Sequence, residues 1–392
     1  MIQNPARLYV FGALIVGYAL MMYANPVRLA LRDGLRCIVR YERVWLTFVV
    51  LGLSYSAFQF ITFTPIHSLA EIDFAQLATI PQWHWPSLSE IARDTLLPTV
   101  EAIAGIFDSA TTTYPLSVIA AFLMVMNWRG LHADLLRALR RRYRFWGIPI
   151  YLVLLLSAMA ALLKPIVYWR LPEWSGMMPA GAVLKISASV DAVAFIFEYL
   201  FGVYVQVYLI CICLAWVKGL SFTEGNLLTF VTRRFSFVMR WALIVVGVSM
   251  LIVRLPIWLA YFMEIRDVLD YLPYERAVMS ALIIGFCSVQ ISLVLHNEKL
   301  HAALTAHAEF IRRNLLRLAW FLVICAVNFY LVITIDALMR GAMADRTIAI
   351  VIWKVIFVSL RALVTGWLLA SWVCLFRQCE TQRIGQESWI RY

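Results

Sequence analysis

The stretch that most constrains this chain is residues 182–217, an apolar run long enough to cross a bilayer. It carries two carboxylates, Asp191 and Glu198, which are seven residues apart. Seven residues make about two helical turns, so both carboxylates lie on one face of the predicted helix. Gly202 and Gln206 continue the same stripe. The stretch therefore predicts a membrane helix with one polar face.

A second apolar stretch, residues 347–376, carries the basic pair Lys354 and Arg361 at the same spacing. A charge at the bilayer centre costs about 2.5–3.5 kcal/mol, so such charges face each other, a water-filled cavity or a partner subunit. The two helices run in the same direction in the predicted topology. Their rise per residue puts Asp191 level with Lys354, and Glu198 level with Arg361.

A third charge of this kind is Arg254, about 20 Å into the sixth predicted span by the same rise. Pro256 follows it closely and frees a backbone carbonyl. The five charged residues of these three helices form what we call the polar seam: Asp191, Glu198, Arg254, Lys354 and Arg361. The seam either lines the route of a solute, fixes the register of the helices through salt bridges, or contacts another subunit. Buried ion pairs alone do not decide between these roles.

Composition places the whole chain in the membrane. It is 63% hydrophobic and 15% charged, whereas soluble domains are about 25% charged. We predict an all-α integral membrane protein, a single polytopic membrane domain over residues 1–392. About nine transmembrane helices are predicted, at residues 8–24, 45–64, 108–127, 147–164, 190–217, 240–262, 277–296, 317–338 and 348–376.

A recurring pattern suggests internal repeats. Basic stretches that end in Arg and Trp lead into apolar runs, and three of those runs reach a Pro-Ile pair. We predict a lone first span followed by four helical hairpins with amphipathic cytoplasmic elbow helices, although the chemistry of membrane interfaces alone also selects Arg and Trp. The predicted bounds are 1–27 for the first span, 28–128, 129–218, 219–297 and 298–377 for the hairpins, and 378–392 for a cytoplasmic tail.

Orientation follows from the basic residues, which cluster in alternate connections. Because cytoplasmic loops are rich in Lys and Arg, the N-terminus is predicted outside and the C-terminus inside, in a bacterial inner (cytoplasmic) membrane. The opening segment also resembles a secretory signal peptide. Without a small-x-small cleavage site it is interpreted as a retained first span.

The predicted outer loop, residues 65–107, contains Trp83, His84 and Trp85. Aromatic residues at this density next to a span are typical of an interfacial belt, so that is the default interpretation. Contact with a ligand by these three residues is the alternative.

Motifs for other chemistry are missing from the sequence. It has no phosphate-binding Gly-rich loop, no dinucleotide motif and no paired-His zinc motif, so no cofactor and no metal is predicted. The histidines of the basic connections are expected to be solvated; they are His132, His296, His301 and His307. The basic residues lie in short loops, which favours the lipid bilayer over nucleic acid as the partner. An enzyme acting on lipid or quinone is the less favoured possibility.

The sequence is compatible with two functions. The first is a transport or channel component for a small polar or ionic solute, which would use the polar seam. The second is a non-catalytic structural or assembly subunit of a larger membrane complex, either with other proteins or as a homo-oligomer. A water-accessible polar cavity favours the first function, and fully paired charges favour the second.

The predicted orientation is testable by labelling. Single cysteines at Ser175 and Leu139, in a cysteine-free background, should react with an impermeant thiol reagent from outside and inside respectively, because the two loops lie on opposite sides. Labelling of the Leu139 position in intact cells would contradict the orientation.

Overall fold

The computed structural model describes residues 16–18, 26–42, 44–46, 48–50, 53, 88–107, 177, 180–218, 224–256, 259, 272–296, 299–342 and 347–381. Within these ranges the chain is almost entirely helical and has no strand. The helices are α1 (Arg28–Arg40), α2 (Leu88–Phe107), α3 (Ala180–Val217), α4 (Glu224–Ser249), a π-helix (Met250–Arg254), α5 (Leu272–Gly285), α6 (Val289–His296), α7 (Leu300–Ala342) and α8 (Thr347–Thr381). The all-α prediction is confirmed for this part of the chain.

Helices α7 and α8 form an antiparallel hairpin of two apolar helices. Leu300–Arg340 and Ala349–Glu380 are each long and apolar enough to cross a membrane. The bent pair α5 and α6 makes a third such segment if its halves form one span. The predicted spans 317–338 and 348–376 lie within α7 and α8. The total of nine spans extends beyond the described residues and stays a prediction.

Helix α7 is bent at Asn314, whose backbone leaves the helical conformation with φ −121° and ψ 18°. Before this kink, Ala303, His307 and Phe310 are buried and the intervening positions are mostly more exposed. Spacings of four and three residues put these side chains on one face of the helix. The segment before Asn314 is thus amphipathic, and its apolar face packs against the rest of the bundle.

Helix α1 is a second amphipathic segment, and it lies along α8. Its buried face comprises Ala30, Leu31, Gly34, Cys37 and Ile38. The indole Nε1 of Trp367 donates a hydrogen bond to the carbonyl oxygen of Leu31 at 2.9 Å. A Cβ atom added at Gly34 would lie 2.6 Å from the backbone nitrogen of Ser371. The two helices approach this closely because Gly34 has no side chain.

Helix α2 differs from the sequence prediction. Residues 65–107 were predicted as an outer loop with short helices on the surface of the outer leaflet. The second half of α2 is instead buried in the bundle, with Ala104, Ile106 and Phe107 at most 3% exposed. The amide Nε2 of Gln206 in α3 donates to the carbonyl oxygen of Ile106 at 2.7 Å. The prediction was wrong here because the acids of the segment hid its short apolar run, Thr95–Phe107.

The core is organised around Trp372 in α8, which is 1% exposed. Phe107 of α2 meets its indole edge-on with ring centroids 4.9 Å apart. Phe310 and Phe321 of α7 contact it at 6.0 Å and 5.6 Å. Edge-to-face aromatic pairs stabilise beyond their area burial by about 0.5–1.5 kcal/mol each. We call these four residues the aromatic cluster; it joins α2, α7 and α8.

The close contact of α1 with α8 predicts a strong effect of one methyl group. Gly34→Ala should lower the free energy of unfolding by about 1–3 kcal/mol, because the added carbon overlaps the backbone of Ser371. Gly247→Ala in α4 is the matched control, since a Cβ atom there meets nothing within 4 Å. Thermal unfolding of both variants in one detergent is the measurement. Equal melting temperatures for wild type and Gly34→Ala would contradict the close approach.

Candidate functional site

The candidate site lies at the break between α5 and α6. The segments Ala277–Gly285 and Val289–His296 are inclined to each other by 42°. The turn between them is held by hydrogen bonds from the Cys287 nitrogen to the Ile284 oxygen at 3.2 Å, and from the Val289 nitrogen to the Phe286 oxygen at 3.1 Å. Irregular backbone inside a membrane protein persists only where it is buried in protein or lines a cavity. Here a cavity lies beside it.

The volume of this cavity that the centre of a water molecule can occupy is about 20 Å³, which is room for roughly one water molecule. The break, the kink of α7 and the end of α8 all contribute to its wall. Its polar lining residues are Ser288, Ser292, His307, Glu309, Arg313, Asn314, Cys379 and Glu380. Phe310 and Phe376 form the apolar part of the wall. We call this space the break cavity.

His307 and Ser288 connect α7 to the break. The Ser288 hydroxyl and His307 Nδ1 lie 2.6 Å apart, and both side chains are buried. The imidazole also lies against the Phe286 ring, with centroids 5.5 Å apart. The expectation of a solvated His307 was wrong, because this part of α7 folds onto the bundle. His301, in contrast, is exposed as expected.

Glu380, which lies on the cavity wall, also contacts His296. His296 Nε2 and Glu380 Oε1 contact each other and so link the end of α6 to the last turn of α8. Arg317 of α7 also approaches the same turn, with Nη1 3.8 Å from Cys379 Sγ. These contacts hold the carboxylate at the cavity wall while only 5% of Glu380 is exposed.

Several buried polar atoms at this site have no hydrogen-bond partner among the described residues. They are the Ser292 hydroxyl, Glu380 Oε2, and both amide atoms of Gln290. A buried polar atom without a partner costs about 1–3 kcal/mol, and more when it is charged. Ser292 and Glu380 face the cavity directly. These atoms are suited to hydrogen-bond water or a small polar solute held there.

A second polar group lies toward the other end of α8. Asp336 in α7 is 6% exposed. Its Oδ1 accepts a hydrogen bond from the indole of Trp353 at 2.9 Å, and its Oδ2 pairs with Arg340 at 2.6 Å. The positive charge of Arg361 interacts with the carboxylates of Glu101 and Asp336. We call Glu101, Asp336, Arg340, Trp353 and Arg361 the charged layer.

The predicted polar seam is only partly described. Asp191 and Glu198 lie in α3 and Arg254 lies in the π-helix, but their side chains are outside the described part of the structure. Lys354 is exposed on α8, and Arg361 is half-buried. The predicted pairs of Asp191 with Lys354 and of Glu198 with Arg361 therefore stay predictions. Residues Trp83, His84 and Trp85 also lie outside the described residues.

Two neighbouring observations bear on the seam. Gly202 and Gln206, which continue the carboxylate stripe of α3, are both buried. The backbone around Arg254 is a π-helix, closed by a bond from the Leu255 nitrogen to the Met250 oxygen. Pro256 cannot donate a backbone hydrogen bond. Short π-helices inside α-helices are frequent at functional sites.

Some of the polar residues were missed by the sequence analysis. Asp336 is one of them, although it could have been found, because it is the one acidic residue in the predicted span 317–338. Glu101 was assigned to an outer loop. Glu380, Ser288 and His307 carry no motif; the helix break and the kink of α7 bring them together. Among the described residues, no group of three or more His, Cys, Asp or Glu is arranged to hold a metal ion.

Comparison of the chain with protein families, with curated proteins and with solved structures finds no match.

The contact of Ser288 with His307 predicts a measurable stability effect. Ser288→Ala leaves the Nδ1 atom of a buried imidazole without this partner, so the free energy of unfolding should fall by about 1–3 kcal/mol. Ser359→Ala is the matched control, because that exposed hydroxyl donates to the carbonyl of Val355 within its own helix. Chemical or thermal unfolding in detergent compares the two. Equal effects of both substitutions would show that the Ser288 contact does not contribute.

Proposed function

We propose that this chain is a transport or channel-type component that moves a small polar or ionic solute across a membrane. The observation that carries the proposal is the break cavity. It lies at an interruption of an apolar helix, and buried hydrogen-bonding atoms without a described partner face into it. Interrupted membrane helices place backbone and side-chain polar groups where a solute binds.

The arrangement of polar groups along α8 supports the same proposal. A rise of 1.5 Å per residue puts Arg361 of the charged layer roughly 28 Å from Glu380 at the break cavity. Trp372 and the aromatic cluster lie between them. A hydrophobic constriction excludes water and so acts as a barrier in channels. In this proposal the aromatic cluster is the closed barrier between two polar regions.

The membrane arrangement belongs to the proposal as well. The chain would have nine spans, arranged as a first span and four hairpins, in a bacterial inner membrane with its C-terminus in the cytoplasm. The break cavity, at the end of the bundle where α8 ends, would then open toward the cytoplasm. The polar seam of α3, the π-helix and α8 would continue the polar route through the bilayer.

The second candidate function is a structural or assembly subunit. It is favoured by Asp336, whose two carboxylate oxygens both have protein partners, Trp353 and Arg340. A charged layer that is fully paired fixes the register of helices without binding a solute. The exposed apolar face of α8 beside Lys354, which includes Ile352 and Ile356, would then contact lipid or another subunit.

Flux through reconstituted protein separates the two functions. Liposomes that contain the full chain should take up small ions or polar solutes faster than protein-free liposomes. Glu380→Gln and Arg361→Gln should each reduce this flux at least about tenfold while the protein stays folded, since a charge that contacts the solute contributes about 1.5–3 kcal/mol. Ser359→Ala is the control on the same helix and should leave the flux unchanged. Ion-sensitive dyes and light scattering measure the rates.

A double-mutant cycle between Glu101→Gln and Arg361→Gln completes the test. Coupling of about 0.5–3 kcal/mol in stability is expected because their charges interact. The control cycle combines Glu101→Gln with Lys354→Gln. A third cycle combines Glu198→Gln with Arg361→Gln and tests whether Glu198 is the partner of Arg361, as the sequence predicts. Two outcomes would contradict transport and favour the structural subunit. One is a double variant that regains stability and keeps all its flux. The other is that liposomes with the wild-type protein leak no faster than empty ones.

A further inference from the structure

Three basic residues from three helices come together where α8 ends. Lys218 follows the last residue of α3, Arg234 lies in α4, and Arg377 lies one turn before the end of α8. Burial and the positive charges of Arg234 and Arg377 lower the pKa of Lys218. Lys218 is thus near enough to both arginines for their charges to repel its own. None of the three cations belongs to the break cavity or to the polar seam.

Arg377 is fixed in this position by the end of α3. Its Nη1 donates a hydrogen bond to the carbonyl oxygen of Val217 at 2.6 Å. The Lys218 nitrogen bonds the Leu214 oxygen at 3.0 Å, so the backbone beneath Lys218 still follows the helix. A positive charge is favourable at a helix C-terminus, where carbonyl groups point outward. This explains the position of Arg377.

Arg234 has donor atoms that the described residues leave without an acceptor. Its guanidinium lies over the Phe230 ring, 4.9 Å from the ring centroid. Its Nε and Nη1 atoms are buried and have no hydrogen-bond partner among the described residues. A buried donor atom without an acceptor lowers stability. An anion with several oxygen atoms, held between the three cations, would supply the missing acceptors and offset the repulsion.

We propose that Lys218, Arg234 and Arg377 bind a phosphate group at this end of the bundle, either the headgroup phosphate of an anionic phospholipid or a free phosphate ion. Arginine suits phosphate because its planar donors match the tetrahedral oxygens. The position favours the lipid as the source, because basic pockets between apolar helices at the membrane surface hold anionic headgroups. This site is independent of the proposed transport route.

Nanodiscs of two compositions test the lipid source. The full chain is placed in phosphatidylcholine alone and in phosphatidylcholine with phosphatidylglycerol, and its melting temperature is measured in each. Wild type should melt at a higher temperature with phosphatidylglycerol. Arg234→Gln should lose most of this gain, because the guanidinium donors that bind the phosphate group are gone. Arg312→Gln is the matched control, because Arg312 is an exposed cation of α7 outside the cluster.

Native mass spectrometry measures the binding itself, and retention of phosphatidylglycerol by Arg234→Gln should be about tenfold weaker than by wild type. A separate arm in neutral detergent compares inorganic phosphate with chloride at equal ionic strength. Stabilisation by inorganic phosphate alone, lost in Arg234→Gln, would assign the site to free phosphate. If Arg234→Gln does not fold, the lipid and inorganic phosphate measurements are repeated with Lys218→Gln. An equal gain in wild type and in the folded variant, or no response of wild type to either probe, would overturn the site.

Discussion

The packing of Trp372 holds together the part of the molecule that the structure describes. Its indole contacts Phe107 of α2, and also Phe310 and Phe321, which lie on either side of the kink in α7. One buried side chain of α8 thus contacts two other helices. Gly34 of α1 lies against Ser371, the residue of α8 next to Trp372. A close-packed interior of this kind transmits strain, so we expect a single methyl group at Gly34 to lower the free energy of unfolding.

Apolar packing of this extent limits where polar groups can lie. In a bilayer, backbone and side-chain polar groups must find partners inside the protein or at a cavity. Three groups of described polar side chains illustrate this: the charged layer, the break cavity, and the cations where α3 and α8 end. In the first group the Asp336 carboxylate is paired within the protein. In the other two, buried atoms such as Glu380 Oε2 and Arg234 Nε lack a described partner.

This difference between paired and unpaired groups connects the structure to function. Paired charges such as Asp336 and Arg340 contribute to helix register. Unpaired atoms at a helix break or between cations are suited to bind something that the chain does not supply: a polar solute at the break cavity, a phosphate group at the cation cluster. The aromatic cluster separates the break cavity from the charged layer, so passage between them would require the packing around Trp372 to change.

The sequence by itself determined the all-helical class, the long apolar helices around 317–338 and 348–376, and the amphipathic segment before Asn314, because length and hydrophobic period are local properties. It also singled out Arg361 as a charge that needs a partner. It did not determine which carboxylates lie near Arg361. Glu101 was assigned to a loop because its neighbouring acids outweighed a short apolar run, and Asp336 was overlooked. The pairing of Ser288 with His307, the contact of His296 with Glu380, and the cluster of Lys218, Arg234 and Arg377 were decided only by the tertiary structure. Each joins residues far apart in the chain, and their proximity depends on a helix break, a kink and the packing of α8, which no local pattern encodes.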